Sequence, residues 1–404
     1  YAASGGYAGV TRALTGMEPA EVADEVAVSG LRGRGGSGYP TGSKWKQALA
    51  AASPEKYVIC NGLEGDPGSF KDRFILENNP HLVIEGMIAA GYATGAREGI
   101  ICLGAENARA AELVGKAIDQ AAERGMLDDE IPGTGFSFSV RVVTAPKAFA
   151  GGEETALIAT LEGERPMPRV RPPYPGESGL FGRPTVVENV ETLALIPWML
   201  NNGARAFQKV GGVNAPGTKL FTLQGAVNNP GLYEATLDTT IKQLVETHAG
   251  GFAGEPVAAL VGSATGGFLT PGLFDIPLDY DSMAEAGGNL SSGAINILAS
   301  GDCIVDAVRE SLAFTCGEAC GKCVPGRLGA WRLSDIMERI CSGSGEISDL
   351  DLVLDLAADT ADGALCFLGR GAVKPLQTAI NFFRRDFEEH INDKNCPAGR
   401  CRLS

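Results

Sequence analysis

Hydrophobic positions change period several times along the chain, and each change predicts a different element. Val22, Val26 and Leu31 recur at roughly helical spacing, and Pro19 suits a first turn, so 18–31 reads as a helix. Tyr57-Val58-Ile59-Cys60 and Ile100-Ile101-Cys102-Leu103 are short continuous apolar runs, the pattern of buried strands. Between them 80–92 carries a mostly apolar helical face. Alanine-rich 105–124 predicts another helix, started by Asn107 or its neighbours. Val140-Arg141-Val142-Val143 predicts a third strand. This alternation argues for an α/β layer from residue 1 to about 205, a sheet covered by helices. Prolines and glycines crowd 165–184, which predicts an ordered loop or crossover.

Past residue 206 the pattern becomes β-rich. Strands are expected at 219–224, at 232–234 after the turn Asn228-Asn229-Pro230-Gly231, and at 257–261, with a short amphipathic helix at 240–248. This small module is expected to end at 293. From Asp302 helical spacing dominates, through 305–314, 326–340, 350–360 and 373–391, predicting a helical bundle over 294–392. A cysteine-containing tail, 393–404, follows.

The most informative segment chemically is Gly33-Arg34-Gly35-Gly36-Ser37-Gly38-Tyr39-Pro40-Thr41-Gly42-Ser43-Lys44-Trp45. Glycines let a flat ligand lie on main-chain atoms, successive N–H groups can cradle an anion, and Lys44 adds a point charge. Tyr39 could stack on a ring. The Gly-x-Gly-x-x-Gly spacing at Gly33, Gly35 and Gly38 is weak as a dinucleotide fingerprint, because a helix rather than a strand precedes it. No Walker loop follows. Asn61-Gly62-Leu63-Glu64-Gly65-Asp66-Pro67-Gly68 leaves a strand at its carboxyl end, where α/β folds bind ligands. Gly151-Gly152-Glu153-Glu154-Thr155 follows the third strand and opens a helix. Its carboxylates could accept hydrogen bonds from ribose hydroxyls or merely complement the helix dipole. The segment 185–192 is read as opening another helix, whose N–H groups favour a phosphate.

Cys316-x3-Cys320-x2-Cys323, with a distant Cys366, carries the second strong signal. Thiolates at that spacing can grip an iron–sulfur cluster, and zinc accepts the same residues. His390, Cys396 and Cys401 form a possible metal clip around the turn at Pro397 and Gly399. The clip lacks a fourth ligand, for which Cys303 and Cys341 are candidates. His81 and His248 read as structural. Net charge is −15 over 404 residues, which disfavours nucleic acid. No apolar run is long enough to span a bilayer. Ten cysteines with a C-x-x-C pattern suggest metal or redox use in a reducing compartment, hence a cytoplasmic location. The chain begins at Tyr1, so upstream sequence is expected.

Together the motifs Gly-Leu-Arg-Gly-Arg-Gly-Gly-Ser-Gly-Tyr-Pro-Thr-Gly, Cys-Asn-x-x-Glu-Gly-Asp-Pro-Gly, Gly-Glu-Glu-Thr-Ala-Leu, Pro-Thr-x-x-x-Asn-Val-Glu-Thr-Leu and Cys-Gly-Lys-Cys-x-Pro stand in one order along the chain. In this they resemble the NADH-oxidising flavoprotein subunit shared by respiratory complex I, NAD-linked hydrogenases and formate dehydrogenases. The ending Cys396-Pro397-Ala398-Gly399-Arg400-Cys401 looks most like the larger subunits of electron-bifurcating hydrogenases. The resemblance implies an FMN-binding α/β core, a ubiquitin-like (SLBB-type) β module and a helical iron–sulfur domain. It implies hydride transfer from NADH to FMN, then single-electron transfer to a [4Fe-4S] cluster. It assigns cofactor contacts to Gly33, Arg34, Gly35, Gly36, Gly38, Tyr39, Lys44, Asn61, Glu64, Gly152, Glu153, Glu154 and Asn189. Cys316, Cys320, Cys323 and Cys366 are the expected cluster ligands, and zinc is the expected metal of the tail. Partners are expected to be other redox subunits, including a small [2Fe-2S] thioredoxin-like one, with no direct membrane insertion. Three positions depart from the pattern: Leu63 replaces an acidic residue, Glu188 an asparagine and Gly326 the third cysteine of Cys-x-x-Cys-x-x-Cys. Cys316 is the expected substitute for that cysteine. The rival expectation is a non-catalytic scaffold of the same fold.

Overall fold

The computed structural model describes residues 1–128 and 130–403. They form two compact units, Tyr1–Gly65 with Phe70–Lys219, and Asp66–Ser69 with Leu220–Ser404. The first contains helices α1 (Ala8–Gly16), α2 (Pro19–Ser29) and α3 (Thr41–Ala50), then strand β1 (Tyr57–Gly62). Helices α4 (Lys71–Asn78) and α5 (Pro80–Thr94), β2 (Glu98–Gly104), α6 (Ala108–Glu123) and β3 (Ser139–Ala145) follow. Helix α7 (Glu154–Leu161), β4 (Thr185–Asn189) and α8 (Val190–Asn202) complete it. The sheet order is β3-β2-β1-β4, and every neighbouring pair is parallel. Val58, Ile59 and Cys60 of β1 and Ile100 to Leu103 of β2 are wholly buried. Helices cover both faces of such strands, which explains their continuous apolar runs. Helix α5 is buried on nearly every side, matching its weak amphipathicity.

One element of this sheet differs from the sequence reading. Residues 185–192 do not simply open a helix: Thr185-Val186-Val187 pair in register with Tyr57-Val58-Ile59 as β4, and only then does α8 begin. The β-branched residues suit a pleated, buried edge better than a helical turn.

The second unit holds a five-stranded mixed sheet of β5 (Thr218–Gly225), β6 (Gly231–Thr236), β7 (Pro256–Val261), β8 (Gly267–Leu269) and β9 (Ala294–Ala299). Their order is β8-β7-β9-β5-β6, with β9 parallel to β5 and antiparallel to β7. The middle strand, β9, lies past residue 293, so the sheet runs beyond the expected module end. Helices α9 (Ile304–Glu318), α10 (Ala330–Cys341), α11 (Ser348–Gly363) and α12 (Lys374–Asn392) form the bundle. Their inward residues recur at helical spacing: Val305, Val308 and Leu312; Leu333, Ile336 and Ile340; Leu350, Val353 and Ala357; Leu376, Ile380 and Phe387. Each fully buried aliphatic side chain contributes about 1.5–3 kcal/mol. Phe268 of β8 joins this core, and its N–H donates to Thr378 Oγ1 on α12 at 2.8 Å.

Candidate functional site

The glycine loop is pinned at both ends. Gly33 N–H donates to Tyr39 O at 2.8 Å and Thr41 N–H to Leu31 O at 3.0 Å. Gly38 turns the loop with φ +62°, a conformation that costs other residues strain. Arg34 is wholly buried, and its guanidinium donates to Thr218 O, Arg32 O and Pro216 O at 2.8–3.0 Å. That side chain therefore helps set the loop's shape, and Arg34 N–H anchors it further by donating to Thr192 Oγ1 at 2.8 Å. A Cβ at Gly35 would lie 3.0 Å from Asn189 Cβ, so the loop rests on the end of β4. A Cβ at Gly42 would lie 2.4 Å from Ala27 Cα, so α3 crosses α2 in backbone contact. Gly36 is buried and has φ +136°. Tyr39 is half exposed, with Lys44 Nζ 6.0 Å from its ring centroid.

Lys44 meets the loop that carries Glu153 and Glu154. Lys44 Nζ donates to Glu154 Oε2 and to Val187 O, both at 3.0 Å. Arg171 reaches Glu154 Oε1 at 2.6 Å and Glu153 at 3.5 Å. Glu153 caps α7, accepting from Thr155 and Ala156 N–H at 2.9 and 3.0 Å. Asn61 Nδ2 donates to Gly152 O at 2.7 Å, tying the end of β1 to that loop. Glu64 accepts from Asp72 and Arg73 N–H at 3.2 and 3.1 Å and so caps α4. Leu63 packs on the apolar cluster that includes Ile59, Leu157 and Val187, which accounts for an apolar residue there.

Burial would lift the Glu154 pKa, but Lys44 and Arg171 outweigh it and hold the carboxyl below its ordinary range. Burial would lower Lys44, yet Glu154 and Glu188 keep it raised. Glu188 is different. It is 3% exposed, its Oε1 makes no hydrogen bond among the described residues, and burial lifts its pKa to about 7, with Lys44 and Trp45 opposing and Glu154 adding.

Asn189 leads into a buried ion cluster. It caps α8 by accepting from Glu191 N–H at 3.1 Å, accepts from Lys71 Nζ at 3.0 Å, and donates to Asp72 at 2.7 Å. Lys71 pairs with Asp72 and Glu191 at 2.6 and 3.2 Å, and Lys219 with Glu191 at 3.1 Å. Lys219 Nζ also donates to Arg34 O at 3.2 Å, so the cluster supports the glycine loop from behind. Burial, with Lys71 and Arg34, pushes Lys219 down to about 8 against the pull of Glu191. Removing one partner of such a buried set typically costs 3–5 kcal/mol. Sequence reasoning missed Lys71, Asp72, Glu191 and Lys219. Their one trace was the pair of opposite charges just after the acidic loop. These residues fit a phosphorylated flavin: a glycine loop, a lysine and strand carboxyl ends.

The cysteines divide into two groups. A cavity at the end of α9 is lined by Thr315, Cys320, Lys322, Cys323, Gly326 and Cys366. Cys316 does not line it. Adjacent residues on a helix point about 100° apart, so with Thr315 facing the cavity Cys316 is turned aside. The cavity therefore fits a cluster at three thiols and not at the fourth position. The second group resolves the tail: Cys303, His390, Cys396 and Cys401 bring their ligand atoms within 4.8 Å of one another. Cys303 Sγ lies 3.4 Å from His390 Nε2 and 3.8 Å from Cys401 Sγ. A tetrahedral zinc with bonds of about 2.3 Å to sulfur and 2.0 Å to nitrogen sets separations of roughly 3.8 and 3.5 Å. Asp386 O holds His390 Nδ1 at 2.7 Å, which turns Nε2 toward the sulfurs. Cys341 instead groups with Asp306 and Cys401.

A glycine loop over a parallel sheet, a mixed β module and a cysteine-lined bundle together define an iron–sulfur flavoprotein. Residues 26–198 match the Nuo51 FMN-binding domain, 220–262 the SLBB domain, and 306–390 the NADH-ubiquinone oxidoreductase-F iron-sulfur binding region. The chain belongs to this family of FMN-binding iron–sulfur subunits of NADH-quinone oxidoreductases and NAD(P)-linked hydrogenases. It is 42% identical over 403 residues to the NADP-reducing hydrogenase subunit HndC of Solidesulfovibrio fructosivorans, covering 99% of this chain and 82% of that one. It is 38% identical to an NADH-quinone oxidoreductase subunit of Escherichia coli, covering 97% and 89%. Among solved structures it resembles an NAD+-reducing [NiFe]-hydrogenase in the H2-reduced state, with TM-score 0.85 and 32% identity. That match covers 93% of this chain and 63% of the other, so this chain spans less than two thirds of the solved one. No helix among the described residues is long and apolar enough to cross a membrane.

Proposed function

We propose that this chain is the NADH-oxidising (or, in reverse, NAD-reducing) flavoprotein subunit of a multi-subunit redox complex. The observation that carries the reading is the meeting of the glycine loop, Lys44 and Glu154 at the carboxyl edge of the parallel sheet. FMN bound there would supply the acceptor for a hydride from the nicotinamide and would release its electrons singly to iron–sulfur centres. The rest is positioning by the protein. The backbone of Gly33, Gly35, Gly36 and Gly38 receives the flat rings, with Arg34 holding its shape. Tyr39 stacks on the dinucleotide. Lys44, Asn61 and Asn189 hold the flavin, Glu64 fixes the acidic loop, and Gly152, Glu153 and Glu154 face the nicotinamide half. Both nucleotides share this nicotinamide half, since the 2′-phosphate of NADPH lies on the adenosine ribose. A relative named for NADP reduction makes the comparison of both nucleotides a necessary control.

Anaerobically purified protein should show flavin absorption with a broad iron–sulfur shoulder, and NADH should bleach the flavin bands. A colourless protein, or a flavin that NADH does not bleach, would refute the enzyme reading and favour a scaffold. Partners on this reading are further redox subunits, including a small [2Fe-2S] thioredoxin-like subunit, in the cytoplasm. The tail group holds one zinc through Cys303, His390, Cys396 and Cys401, away from the redox chemistry. Changing Cys396 and Cys401 together to Ser should remove about one zinc per chain and leave iron unaffected. Protein purified without chelator and lacking zinc would exclude the site.

A further inference from the structure

The cluster cavity presents three thiols, and its fourth position is defined by geometry. Position 326 follows Cys323 by three residues on the same helical turn, where Arg327 N–H bonds Cys323 O at 3.1 Å. A Cβ built on Gly326 would point to within 3.0 Å of Cys323 Sγ. A side chain there would therefore enter the cavity beside Cys320, Cys323 and Cys366, yet glycine brings no donor atom. A four-iron cluster needs a ligand on each iron, normally four thiolates. Cys316, the nearest further thiol in sequence, is turned away with its helix face.

We propose that Cys320, Cys323 and Cys366 alone hold the cluster, and that the iron facing Gly326 carries an exchangeable ligand from solution, a small anion or a thiolate. The proposal rests on the iron–sulfur reading above and narrows it to one open coordination position. An iron without a protein ligand is the one most easily lost. One-electron oxidation of [4Fe-4S]2+ by ferricyanide gives [4Fe-4S]3+, which dissociates to [3Fe-4S]+ and Fe2+; the electron goes to ferricyanide, and three thiolates remain bound.

The test uses the purified, cluster-loaded full chain under anaerobic conditions. Iron and flavin contents are measured together with electron paramagnetic resonance before and after ferricyanide. Wild type should lose one of its four irons and develop the signal of an oxidised three-iron cluster. Ferrous iron with a small thiol should restore it. Cys316→Ala should behave as wild type. Gly326→Cys should keep all four irons through the same oxidation, while Gly326→Ala, which adds bulk without a thiol, should not. A wild-type protein that keeps four irons while Cys316→Ala loses one would overturn the proposal and make Cys316 the fourth ligand. Protein with bound flavin but no iron would also overturn it, and would leave the flavin assignment standing.

Discussion

Glu188 gives a quantitative test of the flavin site. Glu188 is 3% exposed on β4, within the fields of Lys44 and Glu154, and burial raises its pKa from 4.5 to about 7. In the unfolded chain the same group ionises near its ordinary value. Between these two values the folded protein holds a proton that the unfolded chain has shed. Stability from this group is thus fully present below pH 4.5 and is lost as pH rises through about 7. At roughly 1.4 kcal/mol per tenfold, the whole loss is about 3 kcal/mol. Glu188→Gln keeps the shape and never ionises. It should equal wild type within about 1 kcal/mol at about pH 5 and exceed it by about 2–3 kcal/mol at about pH 8. Asp66 and Asp72, raised to about 6 by burial, titrate in both proteins and cancel in the difference. Urea unfolding of the two proteins at both pH values measures this directly. Parallel pH profiles would show that Glu188 is solvated or matched in solution, and the assignment of an unmatched buried carboxyl would fall.

Glu153→Ala removes the cap of α7 and the carboxylate proposed to face the nicotinamide half. It should cost about 1–2 kcal/mol of stability and raise the KM for NADH about five- to a hundred-fold, the equivalent of one lost buried hydrogen bond, while flavin content stays at wild-type level. Unchanged NADH kinetics would restrict Glu153 to capping. Gly42→Ala places a methyl 2.4 Å from Ala27 Cα, so thermal unfolding should show a loss of at least about 1–3 kcal/mol, with the flavin bound more weakly as α3 shifts Lys44. A neutral result would mean that α2 and α3 separate without cost.

The α/β core was legible because its strands are continuous apolar runs and its helices keep a 3.6-residue period. What escaped depends on partners distant in sequence. Strand β4 shares its residues with a helix-opening motif, and only its pairing with Tyr57 to Asn61 reveals the strand. Strand β9 follows a glycine-rich stretch and becomes the middle of its sheet through β5 and β7, far upstream. The ion cluster joins Lys71 to Glu191 and Lys219, residues that no local pattern connects. Cys303 shows the same effect: it caps α9 alone in sequence, and only the fold places His390 and Cys401 beside it. Cys316 shows the converse. Nearness in sequence to Cys320 suggested a shared ligand role, but helix α9 continues through Glu318, and its rotation gives the cavity Thr315 instead. Spacing alone therefore identifies thiols that can converge. The direction of each Cβ decides which of them do, and at residue 326 that direction leads toward Cys323 Sγ while glycine itself brings no donor atom.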